Sequence, residues 1–368
     1  LTGKYENVII SPGKGQRMER KIVTIKDVAR EAGVSVATAS RALGNYGYVS
    51  KETRKKVLEA AAKLNYNHNL VAKSLRTRRT FTIGYLLPDI TNPFYAGIAR
   101  GIQDVAFARG YSVILCNNDN DTTKTERFFK MFLRSRVEGI IYSTPYNEAL
   151  MEMVERAIES GIPVVNCYGS TRIPALDTVM GDAEGGCYKA TKYLIDLGHR
   201  RIAILKVRKS GISERRFEGC RRAFEEANVE IDPTMIMEAA DYSQESGYLS
   251  AKVLFGAGVR PTACFAFSEQ LGIGVLKAAR EEGIRVPEDL SLVAVDDIVA
   301  EVLHPPLTSV SIPTYEAGKV AASLLLSRIE EGSKGSSIPP RSVVLGEKLV
   351  VRESTGIPKG GDRAEERR

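Results

Sequence analysis

Within the 368-residue chain, the residues whose types and spacing point to a chemistry sit in a short stretch near the start. Arg41 stands about one helical turn after Val36, Ala37 and Thr38, and Ser35 precedes them. An arginine so placed can fork onto O6 and N7 of a guanine, and Val36 and Ala37 offer apolar surface to a thymine methyl. Ser35, Thr38 and Ser40 offer hydroxyls to phosphate or water. Thr24 with Asp27 three residues on reads as a capping box. It opens a helix over about residues 25–32, with Ile25, Val28, Ala29 and Ala32 on one face. Gly33 supplies a tight turn, since it accepts positive φ without steric cost. Val34 plugs the corner, and Ser35 caps a second helix over residues 36–43. A third is expected from Ser50 to about Leu64, with Val57, Leu58, Ala61 and Leu64 closing a three-helix core and Lys51, Arg54 and Lys55 turned outward towards phosphate. Helix, short glycine turn and second helix make the helix-turn-helix geometry, whose second helix enters the major groove of DNA.

The charge agrees. Residues 1–80 hold 17 Lys and Arg against 6 Asp and Glu, a net +11, whereas the remainder nets −4. A small basic head on a larger, mildly acidic body suggests a nucleic-acid-binding module joined to something else. Other chemistries lack their residues. The five cysteines form no CxxC pair, the three histidines no HExxH, and neither a phosphate-binding GxxxxGK[ST] loop nor a GxSxG elbow occurs. No metal centre, cofactor or catalytic nucleophile is expected. No apolar run approaches the ~18 residues of a spanning helix, and no apolar signal segment follows the N-terminus, so a cytoplasmic chain without membrane contact is expected.

Three segments, VTIKDVAREAGVSVATASRAL, VSKETRKKVLEAAAKLNY and NLVAKSL, together resemble the DNA-binding head of the LacI/GalR family of transcriptional regulators. The resemblance implies that residues 69–80 form a hinge that becomes helical on DNA and wedges Leu75 into the minor groove, as apolar wedges do. Thr24 and Lys73 complete the candidate DNA-contacting set. The chain departs at Ala39, where the family often has Val, and at residues 67–69, where a proline is common. Residues 1–21 are expected to be a disordered extension, residues 22–68 the helix-turn-helix domain, residues 81–356 the body and residues 357–368 a disordered tail. That tail carries no apolar heptad, so a dimer is expected rather than a tetramer joined there.

In the body, β-rich runs at 82–87, 112–117, 139–143, 163–167, 201–205, 263–267 and 291–295 alternate with helical patterns at 94–109, 185–197, 214–228 and 272–282. Such alternation predicts parallel sheets, and its length predicts two lobes around a cleft. The fold class expected is thus an all-α head followed by an α/β two-lobed core. The resemblance spans residues 22–353 and implies a periplasmic-binding-protein-like body. It rests there on PDITNPFY, RVEGII, YLIDLGHRRIAIL, RRFEGC, RPTACFAFSEQLGIG and VPEDLSLVAVDD. It carries effector-binding positions onto Asn92, Phe94, Tyr95, Arg216, Tyr242, Ser268 and Asp296, with Tyr168 where many sugar-binding relatives carry an acid. Ser268 stands in place of Asn, Glu269 in place of Asp and Ile312 in place of Gln. The function implied is a dimeric, ligand-responsive repressor of carbohydrate or nucleoside metabolism genes, acting on near-palindromic operator DNA. The rival readings are a small-molecule receptor without DNA function and, more remotely, an enzyme using Asp296 and Arg216.

Overall fold

The computed structural model describes residues 23–44, 47–66, 79–145, 147–169, 171–174, 176–258, 260–332 and 339–359. The chain divides into two compact units, Leu1–Arg79 and Thr80–Arg368. Of the expected extension, hinge and tail, residues 1–21, 69–78 and 360–368 lie outside the described residues.

The first unit holds α1 (Ile25–Glu31), α2 (Val36–Gly44) and α3 (Lys51–Lys63). Their starts are fixed by side chains that satisfy the free amides of a first helical turn. The Asp27 carboxylate accepts from the Thr24 amide at 2.9 Å and from its hydroxyl at 2.7 Å. Ser35 Oγ accepts from the Thr38 amide at 3.1 Å, and Ser50 Oγ from the Thr53 amide at 3.2 Å. Gly33 turns the chain at φ +65°. The core is small and alanine-rich: Val28, Ala29, Ala39, Ala42, Val57, Ala60 and Ala61 are buried together. Two expectations are corrected here. Leu58 is 51% exposed, because on α3 the inward stripe runs through Val57, Ala60 and Ala61. Arg54 does not face outward; its Nη1 donates to the Ala42 carbonyl at 3.2 Å. The negative end of α2 draws the guanidinium back and makes it a strut between helices.

The second unit is built on two six-stranded sheets. One runs β11 (Ser342–Leu345), β5 (Asp177–Gly181), β4 (Val164–Cys167), β3 (Gly139–Tyr142), β1 (Thr82–Leu87) and β2 (Ser112–Asn117), with every pairing parallel. The other runs β12 (Lys348–Val350), β10 (Thr308–Ser311), β9 (Ser291–Val295), β8 (Ala263–Ala266), β6 (Ile202–Val207) and β7 (Ile236–Ala239). It is parallel except where β12 closes its edge antiparallel to β10. Around them lie α4 (Pro93–Ala108), α5 (Thr122–Arg134), α6 (Glu148–Glu159), α7 (Ala183–Asp196), α8 (Gly211–Glu226), α9 (Gln244–Gly256), α10 (Glu269–Glu281) and α11 (Thr314–Gly332).

The strands in the middle of each sheet, such as β1, β3, β4, β8 and β9, are buried on both faces, which is why they read as near-continuous apolar runs. On β1, Ile83, Tyr85 and Leu87 enter the core under α4 and α11, while Leu86 enters the opposite core with Phe129 and Phe132 of α5. In the second sheet, Leu205 and Leu292 pack with Leu271 and Val275 of α10. Ile204 and Val293 pack on the other face with Leu194 of α7 and Phe224 of α8. The chain passes between the sheets three times: through Asp182 after β5, through residues 312–313 after β10, and through residues 346–347 between β11 and β12.

A buried clamp closes the first sheet. Asp177 receives Arg328 Nε at 2.7 Å, Arg328 Nη2 at 2.6 Å and the Arg341 amide at 2.7 Å, tying α11 and the approach to β11 onto β5. Truncating one partner of such a pair leaves a buried charge uncompensated. Asp177→Ala is therefore expected to lower unfolding free energy by about 3 kcal/mol, read as a lower urea midpoint. An unchanged midpoint would show that the clamp contributes nothing.

Candidate functional site

The outward face of α2 and a cluster between the two sheets hold the residues singled out from sequence. On α2, burial of Ala39 and Ala42 turns the opposite side to solvent. Val36 is 43% exposed, and Ala37 and Arg41 are exposed beside it. Thr38 and Ser40 are half-buried. The Ser35 and Thr38 hydroxyls lie 2.9 Å apart at the helix start, and the Thr24 hydroxyl is given to Asp27. An apolar pair and an arginine face outward around a capped helix N-terminus, an arrangement suited to base edges and phosphate. Lys73 and Leu75 lie outside the described residues.

In the body, the candidate residues stand at the carboxyl ends of strands and the starts of the helices that follow, where ligands of open α/β sheets bind. Asn92 caps α4, its Oδ1 accepting from the Phe94 amide at 3.0 Å. Phe94 meets Tyr95 and Tyr168 edge-to-face, with ring centroids 5.1 Å and 5.4 Å away. Phe94 and Tyr168 pack against a core of each sheet, so they bridge the lobes. Tyr168 directly follows β4 at φ +58°, and Asp296 directly follows β9 at φ +77°. Non-glycine residues in the left-handed region are costly and gather at functional sites. Ser268 caps α10, accepting from the Leu271 amide at 3.1 Å. The Tyr242 hydroxyl is shared with Ser210 Oγ at 2.7 Å and Ser213 Oγ at 2.9 Å. A cavity of about 640 Å³ opens at this level, with Asn92, Tyr95 and Tyr242 in its wall.

Arg216, on α8, is buried, and its Nη1 donates to the Phe267 carbonyl at 2.5 Å. Among the described residues its Nε has no partner, nor has Asp296 Oδ1, the Tyr168 hydroxyl or either carboxylate oxygen of Glu347. Buried polar groups are nearly always paired in folded proteins, so several orphans in one place ask for something to fill them. Burial pushes the Asp296 carboxyl up to about 6; Arg216 opposes this and Glu269 adds to it. Burial likewise pushes Glu347 up to about 7, again against Arg216, with Asp296 adding to the rise. Burial first, and Glu347 second, raises the Tyr168 phenol. Desolvation disfavours the Arg216 cation, but Tyr242, Asp296, Cys187 and Glu347 outweigh it.

These raised carboxyls set a pH dependence. The folded chain holds their protons more tightly than the unfolded chain does. Their stabilisation is complete below the ordinary carboxyl values and is lost as pH rises through about 6 for Asp296 and about 7 for Glu347. Glu347→Gln is expected to flatten the fall in urea midpoint between about pH 5 and about pH 8. An equally steep fall in the variant would sink the assignment.

Glu347 carried no signal in the sequence as a candidate. It is a lone acid in LGEKLV, between two short strands, and only the third crossing between sheets brings it to Arg216. Room for its carboxylate comes from two glycines: a Cβ on Gly181 or Gly186 would strike it. Glu269, whose departure from Asp had no evident consequence, is buried and accepts from the Ile298 and Val299 amides, each at 3.0 Å.

The family model of bacterial regulatory proteins, lacI family, matches residues 24–69, and that of periplasmic binding protein-like domains matches residues 191–355. The chain is 35% identical over 336 residues to the HTH-type transcriptional regulator RegA of Clostridium saccharobutylicum, covering 90% of this chain and 99% of that protein. A lac repressor dimer bound to operator and the anti-inducer ONPF superposes with a TM-score of 0.81 at 27% identity, over 91% of this chain and 100% of that one. The transcriptional regulator CelR in complex with cellobiose superposes with a TM-score of 0.67 at 32% identity, over 90% and 99%.

Proposed function

Because the chain belongs to the lacI family of bacterial regulatory proteins, DNA-binding transcriptional regulators and not enzymes, we propose that it is a cytoplasmic homodimeric repressor controlled by a small molecule. Two heads related by two-fold symmetry read a near-palindromic operator. In each, Arg41 takes a guanine, Val36 and Ala37 take apolar base surface, and Thr24, Ser35, Thr38 and Ser40 hold phosphate or water. Lys73 and Leu75 serve the hinge, with Leu75 at the minor groove. The effector enters between the lobes and is held by Arg216 and Asp296 against the Phe94, Tyr95, Tyr168 and Tyr242 rings, with Asn92 and Ser268 at the helix starts. It changes DNA affinity only as far as it binds the two lobe arrangements unequally. The regulated genes serve carbohydrate or nucleoside metabolism. The solved relatives include one bound to operator and one bound to a sugar.

The observation that carries this reading is the cluster of polar atoms on Arg216, Asp296, Tyr168 and Glu347 left without partners among the described residues, in a chain whose α2 presents Val36, Ala37 and Arg41 to solvent. The test is recovery of genomic DNA fragments retained by the purified protein, with and without a pool of sugars and nucleosides. A near-palindrome whose retention depends on the pool supports the reading. Retention of no fragment at low salt in either condition would overturn it.

A further inference from the structure

The unpaired groups between the lobes are unbalanced in charge and in hydrogen-bonding sense. Asp296, Glu269 and Glu347 are buried carboxylates, at 9%, 1% and 1% exposure, and the cations that act on Asp296 and Glu347 are the buried Arg216 and, on Glu347, the exposed Arg215. Among the described residues, Asp296 Oδ1 and both oxygens of Glu347 lack a donor, and Arg216 Nε is the unpaired group there that must donate. The Tyr168 hydroxyl can do either. Once Asp296 and Glu347 are ionised, above about pH 7, a molecule completing this set must therefore donate more than it accepts. The cavity beside it carries the same sign: Asp89, Asp119, Asp241 and Glu245 line it, with neither Lys nor Arg among its described lining residues.

An anionic ligand, such as a sugar phosphate, would meet Arg216 but bring a further negative charge to carboxylates already short of donors. A neutral sugar hydroxyl supplies one proton at a time. An ammonium group supplies three donors, no acceptor and a positive charge. Resting on the reading of this cluster as the effector site, we propose that the effector is an amine-bearing polyhydroxyl compound of the amino-sugar class. Its ammonium is taken by Glu347, and a hydroxyl oxygen is presented to Arg216. Glu347 is thereby a specificity-determining residue, and it lies on one of the three crossings between the sheets.

The test uses matched triples with the full chain: glucose, glucosamine and glucose 6-phosphate, then the galactose set, each measured by thermal shift and calorimetry. In at least one triple the amine is expected to bind about tenfold or more tighter than its neutral counterpart, with the phosphate weakest. Glu347→Gln is expected to bring the amine-to-neutral ratio near one, because the amide keeps the shape and loses the charge. A neutral or phosphorylated member binding as tightly as the amine, or an unchanged ratio in Glu347→Gln, overturns the amine assignment. If that same member alters operator retention, the effector site still stands. If no member binds while operator DNA is held, both the assignment and the effector-site reading fall.

Discussion

An Arg41→Ala chain holds its operator about a thousandfold less tightly than the unaltered chain. A bidentate arginine–guanine contact is worth about 1–3 kcal/mol of discrimination. A two-fold dimer loses it twice, so about 4 kcal/mol disappears, which is about three decades of affinity. The loss should be local. Arg41 is exposed, and the head core of Val28, Ala39, Val57 and their neighbours does not use it. Helical dichroism of the variant should match the parent. Its preference for guanine at one symmetric pair of operator positions should vanish, which separates Arg41 from phosphate-binding lysines, whose loss weakens all sequences alike. Equal affinity by fluorescence anisotropy for parent and variant would show that α2 does not read bases through this residue.

Arg216→Leu is expected to abolish the response to effector and to make the body strongly pH-sensitive. Arg216 is the cation that opposes the raised carboxyls of Asp296 and Glu347. Without it these buried acids lose their opposing charge and rise further, and Glu269 adds its own repulsion to Asp296. Breaking a buried charge set in this way costs about 3–5 kcal/mol. The cost is paid mainly above neutrality, where the acids must ionise. At about pH 5 they are protonated and the variant approaches the parent. Urea midpoints of parent and Arg216→Leu should therefore diverge as pH rises, while Arg216→Lys, which keeps the charge, stays close to the parent. Midpoints separated by the same amount at every pH would mean that Arg216 acts only through packing. Operator binding without effector should survive near pH 5, since the head has its own core.

The head was legible almost residue by residue because its signals are local. Thr24 with Asp27, Gly33, Ser35 and Ser50 each act within four positions of themselves, and each takes the expected role. What failed was tertiary. Leu58 fits a helical stripe as well as Ala60 does, and only the packing of three helices chooses between them. Arg54 reads as a free charge until the end of α2 is beside it. In the body, β1 and β9 match the apolar runs at 82–87 and 291–295, since strands buried on both faces write themselves as unbroken apolar segments, and the half-buried edge strand β2 matches the run at 112–117. The strands β5, β7, β10, β11 and β12 have no counterpart among those apolar runs. They are short, and runs such as DTVMG and IMEA carry no continuous apolar signal. The helical patterns begin late, at 272 rather than Glu269 and at 214 rather than Gly211, because the first turn after a serine cap is polar or glycine-rich. Arg216 and Asp296 were named through resemblance alone; their burial and missing partners are structural facts. Glu347 was invisible because its position depends on where a strand crossing falls, not on its neighbours in sequence.

The most direct test of the account is reciprocal linkage between the two units. Operator affinity is measured by anisotropy across a titration of a ligand that shifts the thermal midpoint, and the affinity for that ligand is measured with and without saturating operator. A regulator that couples the body site to the head must show both affinities changing by the same factor, typically about 5–150-fold. Operator affinity unmoved by saturating ligand would contradict the account, because the site between the lobes would then be a binding site with no hold on DNA.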